Sequence, residues 1–290
     1  MQVRPDSGKN TGKYSADMKT SMDPADFDWN ELWKQAKEKK SWKSKKAKDW
    51  DRRASGFARR TAGSVYIDHF LRLLDPQPDW SVFDMGCGPG TLALPMAERV
   101  KKVSAVDFSQ KMLEILKNRA RLKGLTNIRT HHCSWQDDWL EHGIDRHDVA
   151  IASRSLAVPD LQEALGKLCR HARKLVAVTD RVGHGPFDAG AFAAIGRTIE
   201  SGPDYMYTVN LLHQMGYLPR VDYIALEREL SYADFDEALQ SYLWMFRDIT
   251  TGEKKRLQKY LQSITTTADN GRLVLRRPEP VIWAFISWRP

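Results

Sequence analysis

The sequence has few cysteines and no long apolar run. Its three cysteines, Cys87, Cys133 and Cys169, are odd in number and lack the Cys-x-x-Cys spacing of zinc sites. No apolar segment approaches the ~20 residues that a membrane-spanning helix needs. The first thirty residues lack the apolar core of a secretory signal. These absences argue against a disulfide framework, a zinc site and a membrane span, and they predict a cytoplasmic location.

Positive charge is concentrated in one segment. The net charge is +8, and the stretch from Lys34 to Lys48 contains eight lysines and one glutamate, so the remaining chain is close to neutral. Such a run can attract nucleic acid or anionic lipid through phosphates, although a charge run is more often a solvated helix face. Residues 1–22 are polar and predict a mobile tail. We therefore predict a polar and basic N-terminal extension over 1–48, followed by one domain over 49–290.

Short apolar strands and amphipathic helices alternate through the middle of the chain, which predicts a doubly wound, mostly parallel α/β sheet. The predicted strands cover residues 81–85, 102–106, 127–133, 148–153, 174–179, 222–230 and 281–288. The predicted helices cover residues 47–62, 64–74, 91–100, 109–123, 161–172, 235–246 and 252–263. The alternation breaks after the fifth strand, where we predict a helical lid insertion at about 183–220. The last two strands could pair antiparallel.

A glycine-rich loop follows the first predicted strand. Asp84 lies at the end of that strand, and Gly86-Cys87-Gly88-Pro89-Gly90 leads into a helix. Glycine lets the backbone turn sharply and approach a ligand, and a helix N-terminus offers unpaired N–H groups. Asp107 ends the next strand, where an acid can accept hydrogen bonds from both hydroxyls of a ribose. Because ligands of open α/β sheets lie outside the carboxyl ends of the strands, this pattern predicts a nucleotide cofactor site.

Two nucleotide cofactors fit this skeleton. The dinucleotide fingerprint G-x-G-x-x-G/A fails when it is read from Gly86. It passes formally from Gly88 to Ala93, but Pro89 would stiffen the phosphate-binding turn. S-adenosylmethionine (SAM) has no pyrophosphate and needs an acid near its methionine amino group, where Asp84 is placed. The loop therefore favours SAM and leaves a nicotinamide dinucleotide as a distant alternative.

Five segments in order resemble the motifs of class I SAM-dependent methyltransferases. VFDMGCGPG is similar to motif I, VSAVDFSQKMLEILKNRA to the second motif and HHCSWQDDW to the third. DVAIASRSLAVPD resembles the fourth motif, and KLVAVTD resembles the fifth strand. The resemblance covers roughly Trp50 to Pro290, and the chain looks like small-molecule members of the methyltransferase type 11/25 group. It implies a Rossmann-like sheet of seven strands with a late antiparallel strand, SAM as methyl donor and S-adenosylhomocysteine as product.

The resemblance also implies which residues surround the cofactor. They are Asp84, Gly86, Cys87, Gly88, Gly90, Asp107, Phe108, Ser134, Trp135, Gln136, Ser153, Arg154, Trp50 and Phe57. Asp107 is expected to hold the ribose, with Phe108 beside the adenine. Ser134 stands where the family usually has an adenine acid. Trp50 and Phe57 are expected in a lid over the methionine, although aromatic residues at helical spacing also commonly pack into a core.

Three residues after the fourth and fifth strands are the candidate catalytic groups: His184, Asp180 and Arg154. Methyl transfer from a sulfonium is an in-line displacement, so alignment of the acceptor provides much of the catalysis. A base is needed only if the acceptor must lose a proton. Arg154 could instead cap a helix or pair with Asp160. The sequence shows no metal-ligand cluster, so no metal is predicted.

The acceptor is predicted to be a small molecule. Residues 153–156 lack the Asn/Asp-Pro-Pro-aromatic motif of enzymes that methylate exocyclic amines of bases. Cys169 falls within a helix, where we expect packing and not a nucleophile for pyrimidine C5-methylation. An RNA methyltransferase that uses the basic extension, and a non-catalytic SAM-binding module, remain alternatives. Nothing in the sequence predicts the oligomeric state.

Overall fold

A computed structural model of the protein describes residues 27–40, 46–227 and 229–290. The predicted tail over 1–22 and the centre of the lysine run, 41–45, lie outside the described residues. The strands are β1 (Ser81–Met85), β2 (Lys102–Asp107), β3 (Ile128–His132), β4 (His147–Ser153), β5 (Ala172–Arg181), β6 (Arg220–Ala225), β7 (Glu229–Tyr232), β8 (Thr265–Thr267), β9 (Leu273–Arg276) and β10 (Ile282–Trp288). The helices are α1 (Trp29–Lys39), α2 (Ala47–Thr61), α3 (Val65–Leu74), α4 (Ala93–Ala97), α5 (Gln110–Leu122), α6 (Leu161–His171), α7 (Ala189–Ile195), α8 (Tyr205–Gln214), α9 (Phe235–Leu243) and α10 (Thr251–Ser263). Within this described part of the chain, no helix has both the length and the apolar composition to cross a membrane.

Seven strands form one sheet in the order β3-β2-β1-β4-β5-β10-β6. The strands from β3 to β5 are parallel, and β10 is antiparallel to both of its neighbours. The predicted Rossmann-like, doubly wound sheet with a late antiparallel strand is therefore confirmed. The strand order reverses between β1 and β4, so their carboxyl ends border the crevice in which open α/β sheets bind ligands.

Apolar side chains cover both faces of this sheet, which explains the continuous apolar runs in its central strands. Every residue of β1 is buried. On one face, the Phe83 ring packs 5.0 Å from the Trp139 ring, centroid to centroid. On the other face, Phe70 of α3 packs 5.2 Å from Phe285 of β10. These two layers hold the carboxyl ends of β1 and β4 in fixed positions.

Two predicted elements differ from the structure. The predicted helix over 91–100 is reduced to α4, which contains Pro95, a residue without an N–H to donate to a helical hydrogen bond. The single strand predicted over 222–230 is wrong, since these residues divide between β6 and β7 in different sheets. Pairing with β10 ends at Leu226, whose N–H donates to the Val281 carbonyl at 2.8 Å. An alternating pattern indicates a strand but does not specify its partner.

A smaller unit packs beside the main sheet. Strands β7, β9 and β8 form an antiparallel sheet, which shares a separate apolar core with α7, α9 and α10. We call these six elements the accessory subdomain. Leu257 and Leu261 are fully buried in its core. The predicted lid insertion at about 183–220 includes only α7 of this unit, because Leu211 and Leu212 of α8 pack into the main core, and β8 and β9 were not predicted.

Helix α1 packs against the main domain although it contains the start of the lysine run. Trp33 is 3% exposed and lies in the main core. Asn30 Nδ2 donates to both carboxylate oxygens of Asp160 at 3.1 Å. Lys34 Nζ lies 2.7 Å from Asp160 Oδ2, and Lys37 Nζ donates to a backbone oxygen shortly before α6. The end of the N-terminal extension stays a prediction, but part of it is anchored to α6.

Candidate active site

The glycine loop after β1 needs glycine at three positions for backbone conformation. Gly86, Gly88 and Gly90 have φ of 77°, 54° and 85°, in the left-handed region that other residues rarely adopt. Space is also lacking at two of them. A Cβ at Gly86 would lie 2.5 Å from the Cβ of Ser155, and one at Gly90 would lie 2.4 Å from Leu116 Cδ1. The loop therefore has one tightly determined path.

Backbone hydrogen bonds tie this loop to β2. The N–H groups of Gly86 and Cys87 both donate to the Val106 carbonyl, at 2.8 and 2.9 Å. The Cys87 side chain packs in the core between α3 and the sheet, and burial raises the pKa of its thiol well above the usual value. The Cys87 thiol is therefore part of the core, and the role of this residue toward a cofactor stays a prediction.

Asp107 anchors the loop from the end of β2. Its Oδ2 accepts a hydrogen bond from the Gly88 N–H, and its Oδ1 accepts one from the Ser109 N–H, both at 2.8 Å. The residue is 5% exposed, and burial raises the pKa of its carboxyl group above the usual value. Each carboxylate oxygen has a second acceptor position. The group can therefore hold the loop and still accept a hydroxyl from a ligand.

Asp84 has different surroundings from Asp107. It is 2% exposed, and its Oδ2 has no hydrogen-bond partner among the described residues. Burial, and secondly the negative charge of Asp107, raise the pKa of Asp84 to about 7. A buried carboxylate oxygen without a donor is costly. A cationic ligand group would remove that cost, so Asp84 fits the amino group of SAM.

The segment after β3 forms a tight turn. The Ser134 N–H donates to Asp137 Oδ2 at 2.7 Å, and the Gln136 N–H donates to Ser134 Oγ at 3.3 Å. Trp135 packs on Trp139 with ring centroids 5.5 Å apart. The turn thus occupies two of the N–H groups near the expected adenine position. The expected roles of these residues toward adenine stay predictions, as does that of Phe108, which is 36% exposed beside Asp107.

Three metal-ligand side chains meet next to this turn. The ligand atoms of Cys133, Asp137 and His142 lie within 4.8 Å of one another, a grouping that the sequence spacing did not reveal. Lys167 Nζ donates to the backbone oxygens of Trp135 and Asp137 at 2.7 and 2.6 Å. Its ammonium charge beside the group opposes the binding of a dication, so we assign no metal to it.

A cluster of hydroxyl groups lies at the carboxyl ends of β4 and β5. The Tyr66 hydroxyl lies 2.7 Å from Ser153 Oγ and 2.7 Å from Thr179 Oγ1. Tyr66 is fully buried on α3, and burial raises the pKa of its hydroxyl. Ser153 was expected near the methyl donor. Tyr66 and Thr179 were missed, because nothing in their sequence neighbourhood distinguishes them from ordinary core residues.

Arg154 follows Ser153 and has an unusual backbone conformation, with φ of 55°. Its N–H is 3.1 Å from both the carbonyl and the Oγ1 of Thr179. Its guanidinium carbon lies 4.2 Å above the centre of the Tyr66 ring. The alternative pairing of Arg154 with Asp160 does not occur, because Asp160 instead binds side chains of α1 and caps α6.

Helix α2 lies over the glycine loop. Phe57 Cε1 would be 3.8 Å from a Cβ at Gly88, and the Phe57 ring packs 5.5 Å from the Trp50 ring. Asp51 Oδ1 accepts a hydrogen bond from Ser109 Oγ at 2.6 Å, at the start of α5. The placement suits the predicted lid, while its contact with a cofactor stays a prediction.

The three candidate catalytic residues have different partners. Asp180 Oδ2 accepts a hydrogen bond from Thr208 Oγ1 at 2.9 Å, and burial raises the pKa of Asp180. His184 is exposed, with its Nδ1 2.5 Å from Ser201 Oγ. Arg154 packs on Tyr66. Their catalytic roles stay predictions.

Comparisons with known proteins agree with this geometry. The sequence profile of a family described as "Methyltransferase domain" matches residues 82–174. An uncharacterized protein of Haemophilus influenzae is 33% identical over 242 residues, which cover 82% of this chain and 88% of that protein. A solved structure from Bacillus halodurans, assigned as a methyltransferase, has a TM-score of 0.53 and 13% identity over 77% of this chain and 98% of that one. The structural likeness shows the fold.

Some partial relatives act on RNA. A 23S rRNA (uracil(1939)-C(5))-methyltransferase of Vibrio parahaemolyticus is 34% identical over 73 residues, which cover 25% of this chain and 17% of that protein. So short a match does not carry the RNA substrate over to this chain.

Proposed function

The chain belongs to the class I SAM-dependent methyltransferases, and from this premise we propose that it methylates a small molecule. The buried carboxylate of Asp84 beside the glycine loop, whose Oδ2 has no partner among the described residues, carries the part of the proposal that concerns SAM. Bound SAM would supply an activated methyl group on a sulfonium and leave as S-adenosylhomocysteine. The protein then has to hold the donor, exclude water and align the acceptor.

The cofactor position follows from the residues around the loop. Asp84 would bind the amino group of the methionine part, and the loop from Gly86 to Gly90 would lie against its main chain. Asp107 would accept hydrogen bonds from the ribose hydroxyls. Phe108 and the segment from Ser134 to Gln136 would flank the adenine. In this arrangement the sulfonium lies toward the carboxyl end of β4, next to Ser153.

Catalysis in this site rests on alignment. An in-line displacement needs the acceptor atom opposite the leaving sulfur, and correct orientation alone can provide several kcal/mol, roughly 7–11 in favourable cases. The cluster of Tyr66, Ser153 and Thr179 gives the site a rigid wall. Asp180, near the carboxyl end of β5, is a candidate for taking a proton, because burial raises the pKa of its carboxyl group.

A small acceptor fits the enclosure of the site better than a large one. Helix α2 covers the glycine loop, with Phe57 close to Gly88 and Asp51 bonded to Ser109. The accessory subdomain begins with α7, shortly after the carboxyl end of β5. A polymer would have to displace this cover, whereas a small molecule could be enclosed between lid and sheet.

RNA is the second candidate acceptor, favoured by the lysine run and the partial rRNA-methyltransferase relatives. Two observations weaken it. Lys34 and Lys37 bond to groups in and just before α6. Cys169 is buried, and Trp288 Nε1 donates to its Sγ at 3.3 Å, as expected for a packing residue. The thiol is thus not presented as a nucleophile.

One experiment separates these functions. Purified protein with methyl-labelled SAM would be given either a small-metabolite extract or total RNA, and label in each product would be counted. We expect label in the metabolite pool. A variant with Lys39, Lys43, Lys45, Lys46 and Lys48 changed to alanine should be equally active. Label confined to RNA, with activity lost in that variant, would reverse the assignment.

Calorimetry with SAM and with NAD⁺ tests the cofactor separately. SAM binding without any labelled product in either assay would indicate a non-catalytic module.

A further inference from the structure

Arg154 adopts a conformation that its residue type disfavours. Among the described residues, three that are not glycine have positive φ: Asp75, Arg154 and Asp248. Aspartate tolerates the left-handed region, whereas most other L-residues rarely adopt it. Two contacts with Thr179 hold the Arg154 backbone there. Strain of this kind is often retained at functional sites, so the direction of the side chain needs an explanation.

The Arg154 side chain extends toward α3 and β10. Its guanidinium carbon lies 4.2 Å from the Tyr66 ring centre and 5.7 Å from the Trp283 ring centre. Trp283 is on β10, opposite Arg181 at the end of β5. The glycine loop is on β1 and β2, on the other side of β4. The guanidinium is therefore directed away from the proposed cofactor and over the end of β5.

This position presents hydrogen-bond donors without matching acceptors. Among the described residues, Arg154 forms no ion pair: the carboxylates of Asp160, Asp148 and Asp188 pair with other cations. The buried Nε1–H of Trp283 also has no partner among the described residues. Buried polar groups normally have partners. A guanidinium stacked on a ring keeps its N–H edge free for a planar anion.

The surrounding charge indicates the kind of anion. Asp84 and Arg154 both act electrostatically on the Tyr66 hydroxyl, so one carboxyl group already lies on the Arg154 side of the crevice. One guanidinium opposed by one carboxyl group suits a monoanion better than a phosphate, which carries about −1.5 to −2 charges. A carboxylate also matches the planar fork of arginine with two hydrogen bonds.

We propose that Arg154 and the indole N–H of Trp283 bind a carboxylate of the methyl acceptor, which makes the substrate a small organic acid. This inference rests on the proposed function. The carboxylate anchors the acceptor at β5, so that another atom of the molecule faces the methyl donor beside Ser153. A second source of the same chemistry is the carboxylate of SAM itself, and the experiment has to distinguish the two.

The first arm tests the cofactor carboxylate. Affinities for S-adenosylhomocysteine and for 5′-methylthioadenosine, which lacks the amino-acid part, are measured by calorimetry in wild type and Arg154→Gln. We expect both affinities to stay within about threefold of wild type. If Arg154→Gln weakens S-adenosylhomocysteine about 10- to 100-fold, the usual range for a charged hydrogen bond, and leaves methylthioadenosine unchanged, the anion belongs to the cofactor and the proposal fails.

The second arm tests the acceptor. A metabolite extract is divided on an anion exchanger into bound and unbound fractions, and each is incubated with labelled SAM and enzyme. We expect acceptors in the bound fraction. On that fraction Arg154→Gln should lower kcat/KM about 10- to 100-fold, mainly through KM, with a smaller loss for Trp283→Phe and partial recovery in Arg154→Lys. Arg170→Gln, an exposed arginine on α6, is the matched control and should behave as wild type.

The outcomes distinguish failure of the carboxylate site from failure of the proposed function. Acceptors found only in the unbound fraction would overturn the carboxylate site and leave the proposed function intact. Equal activity of wild type and Arg154→Gln on the bound fraction would do the same. No transfer to either fraction by wild type that binds SAM would overturn the proposed function, and this inference with it.

Discussion

Two aspartates at the ends of neighbouring strands illustrate how surroundings divide roles between identical side chains. Asp107 receives two backbone N–H groups, so its negative charge is compensated within the protein. Asp84 Oδ2 has no partner among the described residues, and the pKa of its carboxyl is raised to about 7. Asp107 is therefore suited to a neutral hydroxyl, whereas Asp84 is suited to a cation.

The affinity for SAM should depend on the ionisation of Asp84. An ammonium group binds the carboxylate form, so affinity should rise with pH, by up to about tenfold per unit, until about pH 7. Calorimetry from pH 5.5 to 7.5, below the range in which an α-amino group loses its proton, measures this. In Asp84→Asn the affinity should be lower and nearly independent of pH. An unchanged pH slope in that variant would show that another group titrates.

Asp84 should also reduce the stability of the ligand-free protein. Its pKa is raised above the value of 3.8 expected in the unfolded chain, so the unfolded state releases this proton first. Stability is therefore lost as pH rises from about 4 to 7. Asp84→Asn should stabilise the ligand-free protein, and by about 1–3 kcal/mol more at pH 8 than at pH 5. Denaturant unfolding at the two pH values would measure this, and an equal or smaller gain at pH 8 would contradict it.

Asp107→Ala should weaken SAM binding by about 1.5–3 kcal/mol, the usual value for hydrogen bonds to a charged group. The substitution also removes the anchors of the Gly88 and Ser109 N–H groups. Asp107→Asn keeps one acceptor oxygen and should show a smaller loss. Calorimetry at pH 8 is the measurement, with Asp145→Ala, which alters an exposed aspartate, as control. Unchanged affinity in Asp107→Ala would place the ribose elsewhere.

At the scale of elements, α2 connects parts that the cofactor would also contact. Its Asp51 bonds to Ser109 at the start of α5, and Thr61 Oγ1 lies 3.1 Å from Thr91 Oγ1 just beyond the glycine loop. Between them Phe57 faces Gly88. The polar contacts of Asp51 and Thr61 thus fix α2 over the glycine loop, and the Phe57 ring packs between them. This arrangement is the one expected of a lid that closes on the methionine part of SAM.

Asp51→Ala should loosen this lid. It leaves Ser109 Oγ and the Lys111 N–H without their carboxylate partner, at a cost of about 1 kcal/mol. Hydrogen exchange over residues 47–61 should become faster, and S-adenosylhomocysteine should dissociate several-fold faster. Glu114→Ala removes an exposed carboxylate of α5 that pairs with Lys111, and it should change neither. Identical exchange in both variants would indicate that Asp51 does not hold α2.

At the scale of the whole molecule, one buried carboxylate connects four elements of the accessory subdomain. Asp188 is 4% exposed and caps α7. Its Oδ2 accepts from the Tyr242 hydroxyl at 3.0 Å, and its Oδ1 accepts from the Tyr260 hydroxyl at 2.9 Å. Arg277, just after β9, lies 3.7 Å away and is buried as well. The subdomain that follows β5 thus depends on a polar centre within its apolar core.

Asp188→Ala should destabilise the protein by about 3–5 kcal/mol, because it leaves a buried arginine without its carboxylate and two tyrosine hydroxyls without their acceptor. Thermal unfolding is the measurement, and Asp269→Ala, an exposed loop position, is the control. SAM binding at low temperature should survive, since the glycine loop lies on the main sheet, whereas methyl transfer should be lost. A Tm equal to that of the control would refute this role.

The sequence by itself determined where the residues proposed to bind the cofactor lie in the fold. Left-handed glycines, strand-ending acids and the alternation of strands and helices are local requirements of the backbone, so residue type and spacing express them directly. Asp84, the loop to Gly90 and Asp107 accordingly lie where they were expected, as does the late antiparallel strand β10.

Only the tertiary structure decided which residues lie together on the proposed acceptor side of the site. Tyr66 meets Ser153, and Arg154 lies near Trp283, although these residues are far apart in the chain. The exposure of His184 and the division of residues 222–230 between two sheets likewise result from the packing of whole elements. Such contacts depend on how whole elements pack, and no local pattern encodes them. The residues proposed to face the acceptor are therefore brought together by packing between distant elements, whereas those proposed to bind the cofactor are positioned by the local order of strand, loop and helix.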